Sequence, residues 1–247
     1  MEKKLLLINE DASFFVDSGK DINTEFGIIK AAQLKKAKPG SKIKTHTGKI
    51  FYVAEPAPLD LFRKVIRLPQ IITLKDLGSI IVYSGIKSDS KILEAGSGSG
   101  FSACILGSLA KNGTLVSYEV RKDFAKVARK NIDLYGLDNV KIINADIKLG
   151  TKQKDFDFVL LDLPDPWDVA PILFKSMKLG ARMCTYSPSI IQVEKTIRAL
   201  PIGMKVERLI TNVENEWKVE IERDILRPES SGLKHTAFLL FSRKLSA

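Results

Sequence analysis

The chain has 247 residues, of which 45% are hydrophobic and 28% are charged, and its formal charge is +10. At roughly 100–200 residues per domain, this length allows one large domain, or one large and one small domain. The composition excludes a disordered, collagen-like or low-complexity chain. Two cysteines, Cys104 and Cys184, and two scattered histidines argue against a secreted disulfide framework and against a structural zinc site.

No apolar run reaches the roughly 20 residues of a membrane helix, and residues 1–9 are too short for a secretory signal. We therefore expect a cytoplasmic protein with no membrane association. The positive charge favours a polyanionic partner, although an evenly solvated basic surface would give the same total.

Short apolar segments separated by turn residues predict a β-rich module over the first sixty or so residues. The predicted strands cover residues 5–8, 13–16, 41–45 and 49–53. The last two resemble a hairpin, with Gly48 in the turn. Two prolines then interrupt the pattern before a helical stretch over residues 59–67. We predict a small β-rich N-terminal domain at residues 1–66, for RNA contact or oligomerisation, and a larger domain at 67–247.

From residue 72 onward helices and strands alternate, which is typical of a parallel sheet covered by helices. Helices are predicted over residues 74–85, 101–110, 123–135 and 170–177. Strands are predicted over residues 91–94, 114–119, 140–144, 156–161 and 181–186. Further strands at 205–211, 216–222 and 236–243 have no intervening helix, so we expect the sheet to finish with an antiparallel pair. The predicted fold class is α/β, a doubly wound Rossmann-like sheet with antiparallel C-terminal strands.

The first strand of the larger domain ends in a glycine-rich loop, residues 94–100, directly before a helix. Such a turn brings backbone close to a ligand and points a helix N-terminus at it. The spacing is not the dinucleotide pattern G-x-G-x-x-G, since the third glycine is Gly100. An acid two residues before G-x-G-x-G resembles the first motif of Rossmann-like S-adenosylmethionine-dependent methyltransferases. That resemblance implies S-adenosylmethionine as cofactor, with Glu94 near its amino group.

Acids also stand at the ends of the next two strands, Glu119 and Asp146. Parallel strands end at one edge of the sheet, where open α/β folds bind ligands. Glu119 could accept both ribose hydroxyls, and in the family that the loop resembles the third-strand acid bonds the adenine amino group. A tight turn, a helix cap or a solvated acid would explain each motif singly, but their coincidence favours a cofactor site.

The fourth strand runs into Asp162-Leu163-Pro164-Asp165-Pro166-Trp167, where prolines at alternate positions predict a rigid loop. Asp162 would stand beside the cofactor, where a carboxylate can accept a hydrogen bond from an exocyclic amino group. The Trp167 ring offers a face for base stacking, although ordinary core packing would explain it equally well.

The sequence resembles the tRNA adenine-58 N1-methyltransferases over nearly the whole chain. Besides residues 162–167, the matching segments are residues 67–72, Lys75-Asp76, residues 186–193, Arg227-Pro228 and His235-Thr236. The resemblance implies methyl transfer from S-adenosylmethionine to N1 of adenine in the T-loop of tRNA, at position 58 and, as an alternative, also at 57. It also implies a homotetramer, and we expect no metal. One departure is Thr73-Leu74 where the family commonly has Tyr-Pro, so an aromatic near the active site is missing.

By that resemblance, Asp162 is the catalytic residue that positions the target adenine. The candidate cofactor-binding residues are Glu94, Gly96, Ser97, Gly98, Ser99, Gly100, Ser102, Glu119, Asp146, Asp162 and Gln70. The candidate substrate-binding residues are Trp167, Tyr186, His235, Lys35, Lys36, Lys42 and Lys44. His235 could equally make a structural hydrogen bond. The four lysines belong to a run of seven over residues 26–54, a stretch without an acid, which a solvated basic face would also explain.

Two other functional classes stay open from the sequence. One is a methyltransferase acting on a corrinoid precursor or on protein isoaspartate, which would share the glycine loop but not the strand-four run. The other is a non-catalytic tRNA-binding subunit, against which the intact loop, Glu119 and Asp162 argue.

Overall fold

The computed structural model describes residues 3–61, 71–229 and 235–246. The chain divides into two compact units, Met1–Val65 and Ile66–Ala247. Of the helical stretch predicted over residues 59–67, only the beginning is described, and it is a short 3₁₀ helix at Pro58–Leu61. Gln70, a candidate cofactor residue, lies outside the described residues.

The first unit is built on an antiparallel four-stranded sheet of order β2-β1-β6-β5. Its strands are β1 (Lys4–Ile8), β2 (Ser13–Asp17), β5 (Lys42–Lys44) and β6 (Ile50–Ala54), and β3 (Ile22–Thr24), β4 (Gly27–Ile29) and α1 (Ala31–Lys36) accompany them. The predicted hairpin is present, because β5 pairs antiparallel with β6 and Gly48 has φ of +91° in the turn. The core gathers Leu7, Leu34 and Phe51 with other apolar side chains.

The second unit contains a seven-stranded sheet of order β12-β15-β11-β10-β7-β8-β9. The strands are β7 (Lys91–Ala95), β8 (Thr114–Tyr118), β9 (Val140–Ile143), β10 (Phe156–Leu161), β11 (Met177–Ser187), β12 (Met204–Ile210) and β15 (Phe238–Lys244). Five neighbouring strands pair in parallel, in the order β11-β10-β7-β8-β9. Strand β15 pairs antiparallel with both β11 and β12. The predicted Rossmann-like α/β fold with an antiparallel C-terminal end is therefore confirmed.

Five α-helices of this unit lie within the described residues. They are α2 (Leu74–Ser84), α3 (Phe101–Leu109), α4 (Lys122–Tyr135), α5 (Pro166–Phe174) and α6 (Ile190–Ala199). The central strand β10 is apolar except at Asp157, and it is buried at every other position, as expected of a strand covered on both faces. Among the described residues, no helix is both long and apolar enough to cross a membrane.

The structure corrects the sequence prediction around α5. A helix was predicted at residues 170–177, but α5 starts four positions earlier at Pro166 and ends at Phe174, and Met177 already belongs to β11. Pro166 occupies the first turn of α5, where its fixed φ favours a helix and its missing NH is not needed. The second proline of the strand-four run therefore starts a helix and does not extend the loop.

Helix α6 was not predicted from the sequence, and the strand predicted at residues 216–222 is present but not in the predicted sheet. α6 has a capping box, in which the Ser189 hydroxyl accepts from the backbone NH of Ile191 and the Gln192 side chain accepts from the NH of Ser189. The strand predicted at residues 216–222 lies outside the main sheet. It forms a separate hairpin, in which β13 (Trp217–Glu220) pairs with β14 (Ile225–Pro228).

Candidate active site

The glycine-rich loop joins β7 to α3 at the carboxyl edge of the sheet. Gly96 and Gly98 have φ of +93° and +52°, values that side-chain-bearing residues rarely adopt. A Cβ atom on Gly96 would overlap the carbonyl oxygen of Asp162. The loop that follows β10 can therefore approach the loop that follows β7 only because residue 96 is glycine.

Glu94 is completely buried near the end of β7, directly after the apolar residues Ile92 and Leu93. Its two carboxylate oxygens accept hydrogen bonds from the hydroxyls of Ser102 and Ser117, and the Ser97 hydroxyl lies 2.5 Å from that of Ser117. Burial raises the pKa of Glu94 to about 7, against the opposing effect of the two serine donors. Glu94 thus connects the start of α3 to β8 and, through Ser117, to Ser97 of the loop.

Glu119 connects the loop to the end of β8. One carboxylate oxygen accepts from the backbone NH of Gly98 and the other from the NH of Arg121, both at 2.9 Å. Each oxygen keeps a second acceptor position for a ligand hydroxyl. Glu119 is 7% exposed, so it faces the site with little competition from water.

A cavity of about 220 Å³ opens beside Glu119 at the same edge of the sheet. Gly96, Glu119 and Asp146 line it, together with the apolar residues Val120, Ile147, Leu163, Pro164 and Val169. The exposed Asp146 also accepts from the backbone NH of Lys148 and begins a short 3₁₀ helix. The structure thus brings the predicted acids of the second and third strands to one apolar cavity.

Asp162 follows β10, and its backbone NH donates to the carbonyl oxygen of Ala95 at 2.9 Å. Its carboxylate receives no hydrogen bond from any described residue. Burial, and then the negative charge of Glu119, raise the pKa of Asp162 to about 7. A partly buried carboxylate without a donor is open to a donor from a ligand.

The Asp162 loop is held from the other side by α6. The Gln192 side-chain amide donates to the carbonyl oxygen of Pro164 at 2.9 Å, and Lys148 forms ion pairs with Asp165 and Asp168. Gln192 was assigned no role from the sequence, although a Ser followed three residues later by a Gln is a pattern that indicates the start of a helix.

Three candidate substrate residues lie away from the cavity lining. Trp167 is in the first turn of α5, where the Lys195 ammonium stands 4.8 Å from the centre of its ring. His235 is exposed, with its Nε2 atom 3.4 Å from the carbonyl oxygen of Pro188 and its ring against Phe238. Tyr186 is half-buried at the end of β11, and its role and those of Trp167 and His235 stay predictions.

A buried carboxylate that the sequence reasoning did not single out lies next to Tyr186. Asp76, in the first turn of α2, is wholly buried and receives the Tyr186 hydroxyl at 3.4 Å. Its other donors come from Thr73, Lys75, Asn212 and Thr236.

The candidate RNA-binding lysines lie in the first unit, on α1 and β5. Lys35, Lys36, Lys42 and Lys44 are exposed, and none of them forms an ion pair with a described residue. Two other lysines of the same run are neutralised, because Lys30 pairs with Asp21 at 2.8 Å and Lys49 with Asp11 at 2.6 Å. Within this run, the four candidate lysines therefore keep charges that no described acid neutralises.

The sequence model of one protein family, described as the tRNA methyltransferase complex GCD14 subunit, matches residues 49–219. The chain belongs to this family. The GCD14-family chain is 32% identical to the tRNA (adenine(57)-N(1)/adenine(58)-N(1))-methyltransferase TrmI of Methanocaldococcus jannaschii, over 89% of this chain and 86% of that protein.

Two solved structures resemble this GCD14-family chain over its length. The tRNA (m1A58) methyltransferase TrmI of Aquifex aeolicus superposes with a TM-score of 0.74 at 25% identity, covering 99% of this chain and 98% of that one. A structure from Thermotoga maritima, named a SAM-dependent O-methyltransferase, superposes with a TM-score of 0.79 at 32% identity, covering 99% and 94%.

Proposed function

We propose that this chain transfers the methyl group of S-adenosylmethionine to N1 of adenine in the T-loop of tRNA, at position 58 or at both 57 and 58. The family match and the names of the archaeal and Aquifex relatives support this activity. The mechanism rests on one observation: Asp162 is a partly buried carboxylate beside the glycine-rich loop that receives no hydrogen bond from the described residues.

The residues of the cavity fit an adenosine-bearing cofactor. Glu119 offers acceptor positions for ribose hydroxyls, Asp146 offers one for an exocyclic amino group, and the remaining wall is mainly apolar. We assign the methionine half to the glycine-rich loop, where the buried Ser99 hydroxyl has no partner among the described residues and is a candidate donor to it. When bound, S-adenosylmethionine supplies a methyl group already activated for transfer.

The protein's main task is then to hold the base in line, a positional effect that can supply about 7–11 kcal/mol. Asp162 accepts a hydrogen bond from the N6 amino group of the adenine. Its negative charge stabilises the positive charge that develops on the base as N1 is methylated. No other side chain needs to gain or lose a proton, because the ring nitrogen attacks with its own lone pair.

The N1 atom lies on the pairing edge of adenine, so the base must leave its paired or stacked position to reach Asp162. The RNA must therefore be held at other places. We assign part of this grip to Lys35, Lys36, Lys42 and Lys44, whose charges are not cancelled by acids among the described residues. Trp167, Tyr186 and His235 are the proposed contacts nearer the base.

We further propose a homotetramer in the cytoplasm. The tetramer follows from the family resemblance of the sequence. A reducing compartment is consistent with two free and buried cysteines, Cys104 and Cys184.

The deciding experiment incubates the purified chain with isotopically labelled S-adenosylmethionine and unmodified tRNA, then maps the labelled base. We expect label on N1 of adenine 58, or of 57 and 58. Label on an oxygen atom would favour the chemistry named for the Thermotoga structure. Binding of tRNA without any label would favour a non-catalytic subunit.

A further inference from the structure

Asp76 is a buried charge with an unusual number of donors. Its Oδ2 atom accepts from the hydroxyls of Thr73, at 2.9 Å, and Thr236, and its Oδ1 atom accepts from Asn212 at 2.9 Å and from Lys75 at 3.2 Å. Burial opposes ionisation, but these four donors together hold the pKa of Asp76 below its ordinary value. The carboxylate is therefore charged at neutral pH, inside the protein.

Lys75 closes the network around the same carboxylate. Its ammonium donates to the Thr236 hydroxyl at 2.6 Å and to the carbonyl oxygen of Asn212 at 2.9 Å. Thr236 accepts from Lys75 and donates to Asp76, so one hydroxyl joins the two charges. Three chain segments are thereby fixed to one another: the residues before β15, the connection after β12, and the start of α2.

The network borders the proposed catalytic residue through Tyr186. In the β10–β11 pairing Leu161 faces Thr185, so Asp162 and Tyr186 follow next to each other at the edge of the sheet. Burial, and then the charges of Asp76 and Asp162, raise the pKa of Tyr186 above its usual range. The tyrosine thus stays neutral between two carboxylates, one free for a ligand and one bound by the protein.

We propose that Asp76 is a positioning residue for methyl transfer, which fixes Tyr186 and the Thr236 segment beside Asp162 through its network with Lys75 and Asn212. This inference rests on the proposed function, since the positioned groups would face the target adenine. Asp76 itself does not reach the cavity that we assign to the cofactor, because none of that cavity's lining residues belongs to α2.

A purely structural role for the network would have a different signature. Buried ion pairs often contribute little net stability, while removing one partner is strongly destabilising. If Asp76 served stability alone, its loss would lower the melting temperature, cofactor affinity and turnover together. A positioning role lowers kcat for tRNA while the binding of S-adenosylmethionine is retained.

The test compares Thr236→Val with Thr236→Ser, and adds Asp76→Asn. Thr236→Val keeps the shape of the side chain but removes the hydroxyl that joins Lys75 to Asp76, whereas Thr236→Ser keeps that hydroxyl. We expect kcat to fall about 10- to 100-fold in Thr236→Val and Asp76→Asn, as small misplacements in an active site do, and to be retained in Thr236→Ser. Affinity for S-adenosylmethionine, measured by calorimetry, should stay unchanged in all three.

A second measurement does not depend on turnover. In protein carrying isotope-labelled tyrosine, the Tyr186 signal is assigned by its disappearance in Tyr186→Phe. We expect one sharp signal in the wild type and in Thr236→Ser, and a shifted or broadened one in Thr236→Val. Equal kcat and an unchanged Tyr186 signal in Thr236→Val would overturn the inference, even if Asp76→Asn fails to fold. A wild type that methylates no tRNA would instead refute the proposed function.

Discussion

Gly96 and Asp162 occupy adjoining space, since any Cβ atom at residue 96 would overlap the backbone carbonyl of Asp162. The same contact joins the loop after β7 to the loop after β10. One glycine therefore sets the separation between the cofactor loop and the proposed catalytic carboxylate.

Gly96→Ala should damage both stability and the site. We expect a clear fall in melting temperature and a drop in cofactor affinity of about tenfold or more, because the Asp162 loop must move to admit a methyl group. Gly136→Ala is the matched control, with φ of +67° and open space around its Cβ position. It should cost only the strain of a left-handed residue, about 1–2 kcal/mol. Equal effects in the two variants would contradict the overlap.

Asp162→Ala should reduce kcat about 100-fold or more, which is the usual cost of removing one charge-stabilising group from an active site. Affinity for S-adenosylmethionine should be largely retained, because the loop contact of residue 162 is made by its backbone. Asp157→Ala serves as the control for removing an acid near the start of β10, away from the site, and it also removes an ion pair with Lys178. Near-normal turnover at saturating cofactor in Asp162→Ala would show that the assigned role is wrong.

Glu94→Gln should change how stability depends on pH. In the folded protein Glu94 titrates at about 7, against 4.5 as its ordinary value. Between these values the unfolded chain loses the proton and the folded protein keeps it, so stability falls as pH rises from 4.5 to about 7 and then levels. The gap corresponds to about 3 kcal/mol.

The variant cannot titrate at this position, so its stability relative to wild type should improve across that window. Chemical denaturation at pH 4.5 and 7.5 measures the difference. Glu222→Gln removes an exposed acid and controls for surface charge. A Glu94→Gln difference that is the same at both pH values would count against a protonated, buried Glu94.

The combined Lys42→Ala and Lys44→Ala variant should bind tRNA with a weaker salt dependence. Removal of one lysine–phosphate pair lowers the slope of log affinity against log salt by about 0.7–0.9. Lys30→Ala is the control, since its ammonium is already paired with Asp21. Filter binding at several salt concentrations gives the slopes. If the affinity of the wild-type protein for tRNA did not change with salt concentration, these lysines would not contact RNA phosphates.

The sequence allowed prediction of those parts of the fold whose signals are local. Apolar runs located the central strands, and the glycine-rich turn located the loop that follows Glu94. Acids at successive strand ends could be placed at one edge because parallel strands share their direction. The start of α5 was missed because Pro166 was interpreted as part of a loop, whereas a proline in the first turn of a helix is favourable.

The Asp76 network could not be predicted in the same way. Its partners Tyr186, Asn212 and Thr236 are 110, 136 and 160 positions away along the chain. Their meeting depends on β15 returning between β11 and β12, and no local pattern specifies that return. The motif Lys75-Asp76 was visible in the sequence, but its partners were not.

The position of β15 in the sheet also determines when β12 and the Asp76 network can form during translation. Among the described strands, β12 has only β15 as a neighbour in the sheet, and β15 is the last of them to be made. While the chain is still emerging from the ribosome, β12 has no strand to pair with, and Asp76 lacks the hydroxyl of Thr236. The proposed active site and the edge of the sheet are therefore completed in the same late step.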